Sequence, residues 1–339
     1  MERPSDGSET LVDKPSLVER ICKDCDTSMI ITITILSLII ITLILILTFG
    51  FLGDVDKDCS TVPPTEKDYI CPIGNNFKFN EDISDFFLDT KLNESKWYDF
   101  SQTFLGSRNN FMFASNNVKV KDGCLRLTAR KFKESENKPE NYRRGFNNFA
   151  TSIVKSIKKV KYGYFEMRAK TMNANVCNSF WLYDPHSDNL NTKFSKGNNS
   201  EEIDIFKLTG KLDYKKEKED YTRTYFNSVR NFKTPYVEAT IVSEENTTNI
   251  NFQNNSNYDF YSDFHTWGFY WGKDKLIWYL DGNKTNEITN DIFNRELHIT
   301  FDSEILLDFF GEPDPNDLPA EFKIDYFKYW EERNESSQE

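Results

Sequence analysis

Two carboxylates with β-strand spacing are the strongest candidates for chemistry in this chain. Glu202 and Asp204 stand two residues apart in the run EEIDIFK, which occupies positions 201–207. In a strand, side chains two apart share a face, so both acids point one way while Ile203 and Ile205 point to a core. Adjacent carboxylates repel unless a cation, a ligand or a shared proton offsets the repulsion. For an isolated E-x-D, a solvated acidic face is as good an explanation as a functional site.

Aromatic blocks in a fixed order flank this motif. YGYFEMRAK (162–170) and NSFWL (178–182) precede it, and FHTWGFYW (264–271), IWYLDG (277–282), LHITFDSE (297–304) and FKIDYFKYW (322–330) follow. The order resembles glycoside hydrolase family 16, the laminarinases, lichenases, agarases and carrageenases, and its last two blocks look most like the galactan-cutting branch. The resemblance spans roughly Phe77 to Trp330.

The resemblance implies a role for each residue of the motif. Glu202 matches the family's nucleophile and Asp204 its assisting carboxylate. The family then has an acid/base Glu, which falls at Lys207 if the strand carries a β-bulge and at Phe206 if it does not. Neither side chain is a carboxylic acid, so the sequence departs from the family at the proton donor.

The same resemblance places substrate-binding residues around the motif. Trp181 matches a family position that lines the cleft, and pyranose rings stack on aromatic side chains. Asn178 and Glu304 are the other predicted substrate-binding residues. The remaining tryptophans of the strand-like blocks, Trp97, Trp267, Trp271 and Trp278, are expected in the core.

A retaining glycosidase needs two carboxyls, one to attack and one to protonate the leaving oxygen. Losing general acid help costs roughly 10²- to 10⁴-fold in rate. The sequence therefore predicts recognition of a β-linked polysaccharide, a β-glucan or β-galactan, with hydrolysis weak or lost. Two alternatives stay open: an active retaining endo-glycosidase or transglycosylase that uses another acid, such as Glu304, and a non-catalytic adhesion or receptor module.

Short alternating segments separated by turns dominate the chain after position 77. Many strands at even spacing within about 250 residues indicate a sandwich or jelly roll. The resemblance implies the same fold class: an all-β, antiparallel, concanavalin-like jelly roll. We expect this domain at residues 77–333, preceded by a stalk at 53–76 and followed by a tail at 334–339.

The first 52 residues of the chain predict a membrane anchor. Residues 29–52 carry no charge and are rich in Ile and Leu, which is long enough to span a bilayer. Lys14, Arg20 and Lys23 precede this run, so the positive-inside rule makes residues 1–28 a cytosolic tail and the protein a type II, single-pass membrane protein. The large domain would then be extracellular or luminal. Six N-x-S/T sequons follow the run and predict a glycoprotein: Asn93, Asn198, Asn246, Asn254, Asn283 and Asn334.

The net charge and the cysteines limit which partners, disulfides and cofactors the chain can have. The chain of 339 residues has a net charge of −12, which argues against nucleic acid. Four cysteines follow the apolar run and allow three pairings, of which we predict Cys59–Cys71 and Cys124–Cys177. No cluster has zinc spacing, and no cofactor is expected. The resemblance leaves room for a structural Ca²⁺, as in some relatives.

Overall fold

The computed structural model describes residues 32, 35–41, 59–99, 111–136, 148–184, 199–211, 226–233, 238–241, 260–290 and 293–333. The chain divides into two compact units, Met1–Lys57 and Asp58–Glu339. In the first unit, residues 35–41 are helical. Within the described residues, none of the helices has the length and apolar character needed to cross a membrane. The predicted tails at 1–28 and 334–339, and most of 29–52, lie outside the described residues.

The described part of the second unit is built almost wholly from strands. Their bounds are β1 Phe77–Phe79, β2 Trp97–Tyr98, β3 Phe111–Phe113, β4 Val118–Lys121, β5 Cys124–Lys131, β6 Phe149–Thr151, β7 Ile153–Val160, β8 Gly163–Lys170, β9 Cys177–Asp184, β10 Asn199–Leu208, β11 Phe226–Lys233, β12 Glu238–Ile241, β13 His265–Trp271, β14 Lys275–Leu280, β15 Asn283–Thr289, β16 Leu297–Glu304 and β17 Ala320–Glu332. A four-residue α-helix, Leu307–Phe310, and short 3-10 turns at Glu66–Tyr69, Ser115–Asn117, Glu134–Glu136 and Pro315–Asp317 join them.

These strands form two sheets. The ten-stranded sheet runs β15-β14-β13-β8-β17-β5-β6-β3, with β1 added to β17 and β4 to β5. The seven-stranded sheet runs β12-β11-β10-β9-β16-β7-β2. Neighbouring strands in both are antiparallel apart from β3 and β6, which pair in parallel. The all-β sandwich predicted from the sequence is confirmed.

One large apolar core lies between the sheets, because alternate residues of each strand point inward. Phe180, Phe206 and Phe301 of the seven-stranded sheet pack there with Phe165 and Phe327 of the ten-stranded sheet. The four tryptophans expected in the core are all buried, as predicted: Trp97, Trp267, Trp271 and Trp278.

Residues 59–76, called the N-terminal strap below, correct the predicted domain boundary. The compact unit begins at Asp58, whereas the sequence predicted a separate stalk as far as residue 76. The strap packs on the outer face of the ten-stranded sheet, where Cys71 forms a second apolar cluster with Tyr164 and Trp330. The Trp330 indole donates to the carbonyl of Tyr69 at 2.8 Å. The strap therefore belongs to the domain.

The disulfide pairing predicted from the sequence is wrong. Cys59 is bonded to Cys124, with 5.3 Å between their Cα atoms, and this bond joins the start of the strap to the β4–β5 turn. Cys71 and Cys177 are free and buried. Sequence spacing favoured a short Cys59–Cys71 loop, but the strap runs across the sheet and brings Cys59 to the turn. Gly123 in that turn has φ +71°, and a Cβ there would meet the Ser60 carbonyl at 2.4 Å.

Candidate active site

Three neighbouring strands of the seven-stranded sheet, β10, β9 and β16, place the candidate site on one face. Residues paired across them form rows whose side chains share a face. From one end, the rows on the face away from the core are Glu202–Tyr183–His298, Asp204–Trp181–Thr300, Lys207–Ser179–Asp302 and, on two strands, Cys177–Glu304. We call this face the cleft floor.

A β-bulge in β10 keeps Lys207 on the cleft floor. The register of β10 against both neighbours shifts after Asp204, and Ile205 is the extra residue. Without it, alternation would send Lys207 into the core and bring Phe206 to the floor. Trp278 of the opposite sheet donates its indole N–H to the Asp204 carbonyl at 3.1 Å, which fixes the backbone where the bulge begins.

Lys207 forms ion pairs with both acids of the motif. Its Nζ lies 3.2 Å from Glu202 Oε1 and 3.1 Å from Asp204 Oδ1. Burial alone would lower the pKa of this ammonium, but four carboxylates outweigh it and raise the pKa well above its ordinary value. In decreasing order of effect these are Asp204, Glu202, Glu304 and Asp302. Lys207 therefore keeps its charge and its protons.

Trp181 lies on the cleft floor but is only 3% exposed. The Lys207 ammonium sits 5.0 Å from the centre of its ring, within cation–π distance. The Tyr183 ring is 5.3 Å away on the other side. Tyr183, which sequence reasoning missed, is the more exposed of the two aromatic residues and stands in the row of Glu202.

Asn178 does not reach the cleft floor, contrary to the prediction. It pairs with Leu208 and Ser303 on the core side of the sheet. Its amide nitrogen donates to the carbonyls of Val176 and Leu208, and its oxygen accepts from the Met172 amide at 3.2 Å. These bonds satisfy the backbone at one end of the sheet and make Asn178 structural.

Glu304, predicted to bind substrate, lies on the cleft floor, and it has a neighbour that sequence reasoning missed. Asp302 stands two residues earlier on the same face of β16 and is fully buried. Burial and then the Glu304 carboxylate raise the pKa of Asp302 well above its usual range, against the opposing effects of Lys207, Ser179 and Trp181. The period of two in FDSE carried this signal, just as EID did for β10.

The cleft floor therefore has a carboxylate at the nucleophile position, Glu202, with the Lys207 cation beside it. It also carries a second pair of acids, Asp302 and Glu304. Such a site can bind a neutral sugar ring and can attack an anomeric carbon through Glu202, but it has no carboxyl at position 207. His298 donates its Nδ1–H to the Ser156 carbonyl at 2.8 Å, because a carbonyl oxygen can only accept, and Nδ1 is therefore the protonated nitrogen. Among the described residues, no three His, Cys, Asp or Glu side chains are grouped as metal ligands.

Comparison with known sequences identifies the family. The sequence model of the glycoside hydrolase family 16 domain of β-porphyranases A–D matches residues 77–331. The chain belongs to glycoside hydrolase family 16. This family of hydrolases acts on β-linked polysaccharides and includes porphyranases, carrageenases and glucanases.

Curated relatives agree with this assignment. The chain is 28% identical over 252 residues to β-porphyranase B of Phocaeicola plebeius, a match that covers 67% of this chain and 75% of that protein. It is 32% identical over 131 residues to β-porphyranase D of Zobellia galactanivorans. That match covers 38% of this chain and only 29% of the relative.

Solved structures show the same fold. The crystal structure of a β-porphyranase from the human gut bacterium Bacteroides plebeius superposes with a TM-score of 0.60 at 21% identity, over 80% of this chain and 95% of that one. β-Agarase A of Zobellia galactanivorans gives a TM-score of 0.58 at 18% identity, over 79% of this chain and 96% of that one. At these identities the likeness speaks for the jelly roll alone.

Proposed function

We propose that this family 16 protein is membrane-anchored, recognises a β-linked polysaccharide in its cleft, and hydrolyses it weakly or not at all. One observation carries the proposal: the Lys207 ammonium lies 3.2 Å from Glu202 and 3.1 Å from Asp204, where the family resemblance places the acid/base Glu. An ammonium whose pKa is raised holds its protons and does not hand one to a glycosidic oxygen.

A β-galactan is the first candidate substrate and a β-glucan the second. The matching relatives are named β-porphyranase, κ-carrageenase and β-glucanase. The family model that matches this chain is also that of the β-porphyranases. Tyr183, the more exposed of the two aromatic residues on the cleft floor, stands in the row of Glu202, where its ring supports stacking of a pyranose.

Paired binding and hydrolysis assays test the proposal. Porphyran, agarose, κ-carrageenan and laminarin are each assayed for binding by affinity electrophoresis and for release of reducing ends. We expect at least one to bind and its hydrolysis to be about 100-fold or more slower than that of the Lys207→Glu variant. Binding of none of the four would overturn the proposal.

Two other functions have one supporting observation each. The acidic pair Asp302 and Glu304 favours an active retaining hydrolase or transglycosylase with a different acid. Rapid hydrolysis by the wild type that disappears in Glu202→Gln would establish it. The burial of Trp181 favours an adhesion or receptor module that no longer binds sugar. Capture of none of the polysaccharides by a folded protein would favour this third function.

The membrane anchor rests on the uncharged run at 29–52 and the sequons that follow it. In sealed vesicles from a eukaryotic host, the large domain should lie in the lumen. Protease added to the outside of these vesicles should therefore remove only residues 1–28. Glycans should be found on the sequons of the protected fragment. Digestion of the large domain, with no glycan on any sequon, would reverse the proposed orientation.

A further inference from the structure

A groove of about 760 Å³ lies between an outer strand of each sheet. Its walls include Tyr98 of β2 and the whole of β4, Val118–Lys121. In the order of the strands, β2 comes last in the seven-stranded sheet, and β4 is attached to β5 beside the main path of the ten-stranded sheet. Backbone groups at the edge of a sheet are prone to pair with another chain, and natural proteins cover such edges. The groove therefore lies where a covering group would protect the domain.

The sequon Asn93-Glu94-Ser95 stands on the rim of this groove. Leu92 and Glu94, the neighbours of Asn93 in sequence, both line the groove, and Asn93 itself is partly exposed. The side-chain oxygen of Asn93 accepts hydrogen bonds from the Ser95 amide at 3.0 Å and from the Ser95 hydroxyl at 2.6 Å. The nitrogen Nδ2, to which N-linked sugars are attached, is at the other end of the same amide and so points away from Ser95.

The turn that carries Asn93 is fixed to the core of the domain. The Asn93 carbonyl accepts hydrogen bonds from the amides of Lys96 at 2.9 Å and Trp97 at 3.0 Å. Trp97 is only 2% exposed, and its indole donates to the Asp85 carboxylate at 2.9 Å. A sugar attached here starts from a rigid support, so less conformational freedom is lost when it docks nearby.

The lining of the groove suits a sugar. The Tyr98 side chain is 51% exposed and offers an aromatic face, and Leu92 and Val118 add apolar surface. Glu94 and Lys119 supply polar groups for hydroxyl and acetamido substituents. Pyranose rings stack on aromatic faces, and a volume of this size lies within the range of about 300–1,000 Å³ that is usual for small-ligand pockets.

We propose that an N-linked glycan on Asn93 docks in this groove, with its first N-acetylglucosamine rings packed on Tyr98. The inference rests on the proposed function, since the glycan is added only if the large domain is luminal. It goes further in giving one sequon a docking surface and a role in covering two sheet edges. In the modification, Nδ2 of Asn93 loses a proton and bonds to the anomeric carbon of the first sugar. The bond from that carbon to the diphosphate of a lipid-linked oligosaccharide donor breaks, and the lipid diphosphate is released.

The sequon at Asn283 provides a matched comparison in the same molecule. Asn283 is the exposed first residue of β15, which ends the ten-stranded sheet roughly 25 Å from β4 by strand spacing. The full-length protein is produced in a eukaryotic host that makes only high-mannose glycans, and is kept folded in detergent. Endoglycosidase H, which cuts between the first two sugars, should cleave the glycan of Asn93 about 2- to 10-fold more slowly than that of Asn283. Peptide mapping measures each position, and both should be cut alike once the protein is unfolded.

Variants of Tyr98 show whether the groove gives this protection. Tyr98→Ala should raise cleavage at Asn93 to the rate at Asn283, whereas Tyr98→Phe keeps the aromatic face and should preserve the protection. Asn93→Gln should lower the thermal midpoint by about 2–4 °C, and Asn283→Gln should leave it unchanged. The losses caused by Asn93→Gln and Tyr98→Ala should be less than additive in the double variant, because both changes remove the same contact.

Equal cleavage at the two positions in the folded protein would overturn the proposal, as would a glycan on Asn283 with none on Asn93. Protection that persists in Tyr98→Ala would also contradict it, because the sugar would then dock elsewhere. Absence of glycan from all six sequons would overturn the luminal orientation in the proposed function, and this proposal with it. Polysaccharide binding and hydrolysis are measured separately, so failure of the docked glycan leaves that part of the proposed function standing.

Discussion

Lys207 and Lys328 lie on opposite faces of the sandwich and find the same kinds of partner in different surroundings. On the cleft floor, Lys207 pairs with Glu202 and Asp204 and sits 5.0 Å from the Trp181 ring. On the outer face of the ten-stranded sheet, Lys328 pairs with Asp68 at 3.2 Å and sits 4.1 Å from the Tyr326 ring. Each cation thus has a carboxylate and an aromatic face as partners.

The two sites differ in what surrounds the cation. Asp68 belongs to the strap, so the chain itself covers Lys328 and the apolar cluster beside it. Its carboxylate is 39% exposed and keeps contact with water. The carboxylates around Lys207 are nearly all buried and outnumber it.

The comparison shows which of the two clusters is structural. Lys328 has its carboxylate partner, Asp68, in the strap of the same chain, so this ion pair needs no ligand to complete it. An excess of buried acid around a single cation is costly for stability, and such excess is found where a site acts on a ligand. The following predictions test this difference.

The largest expected effect is a gain of hydrolysis in Lys207→Glu. A carboxylic acid at the family's acid/base position should raise the rate on the bound polysaccharide by about 10²- to 10⁴-fold over the wild type. Release of reducing ends measures it. Lys328→Glu, on the outer face, should leave the rate unchanged.

Two further variants show where such a gain comes from. Lys207→Gln removes the cation without supplying an acid and should give no comparable increase. The double variant Lys207→Glu/Glu202→Gln should be inactive, since it lacks the nucleophile. A wild type that already matches Lys207→Glu would contradict the assignment of position 207.

Removing each cation should cost different amounts of stability. Lys207→Met removes the cation that pairs with two buried carboxylates, so the free energy of unfolding should fall by about 3–5 kcal/mol. Lys328→Met removes the partner of Asp68, which is partly exposed and can return to water, and a favourable charge near Glu166, so a smaller loss of about 1 kcal/mol is expected. Urea denaturation of the two variants measures the difference. Equal losses would mean that the two clusters are energetically alike.

The sequence predicted the part of the cleft floor that lies on one strand. The E-x-D spacing put Glu202 and Asp204 on one face. The family pattern left the bulge optional, and the structure has it, with Lys207 on that same face. Local periodicity suffices there, because the face of a side chain follows from its position along its own strand.

Features that depend on pairing between strands distant in sequence could not be predicted from the sequence. Asn178 was placed in the cleft although it stands on the core side of β9, because a family position alone does not give its face. Asp302 was missed because its place in the row of Lys207 follows from the pairing of both β10 and β16 with β9. The Cys59–Cys124 bond depends on the path of the strap over the sheet, which no local spacing encodes.

Removing the Cys59–Cys124 disulfide should cause a loss of stability of intermediate size, without an effect on the cleft floor. This bond closes a loop with a sequence separation of 65, so Cys59→Ser should lower the free energy of unfolding by about 2–4 kcal/mol. Cys71→Ser, at a free cysteine of the same strap, is the matched control and should cost less. Polysaccharide binding should survive both changes. Non-reduced peptide mapping should recover the 59–124 link, and a 59–71 link would refute the structure of the strap.

The smallest expected effect is a pH-dependent one at Glu166, beneath the strap. Tyr326 and Tyr164 donate hydrogen bonds to its carboxyl at 3.0 and 3.5 Å. Burial nevertheless raises its pKa, against the opposing effects of Lys328 and the two tyrosines. Between the ordinary pKa of a Glu and this raised value, the folded protein holds a proton that the unfolded chain has lost. Stability from this group is therefore fully present at acid pH and is lost as pH rises through the folded pKa, by up to about 1.4 kcal/mol per pH unit.

Glu166→Gln removes this titration while keeping an acceptor for Tyr326. The stability of the variant relative to the wild type should therefore increase from about pH 4.5 upward and level off once the wild-type carboxyl is ionised. Urea denaturation at intervals of one pH unit measures it, with Glu81→Gln at an exposed position as the control. A difference between variant and wild type that is the same at every pH would show that Glu166 titrates normally. The strap would then lie over a solvated carboxylate, and the outer face would be more open to water than the cleft floor.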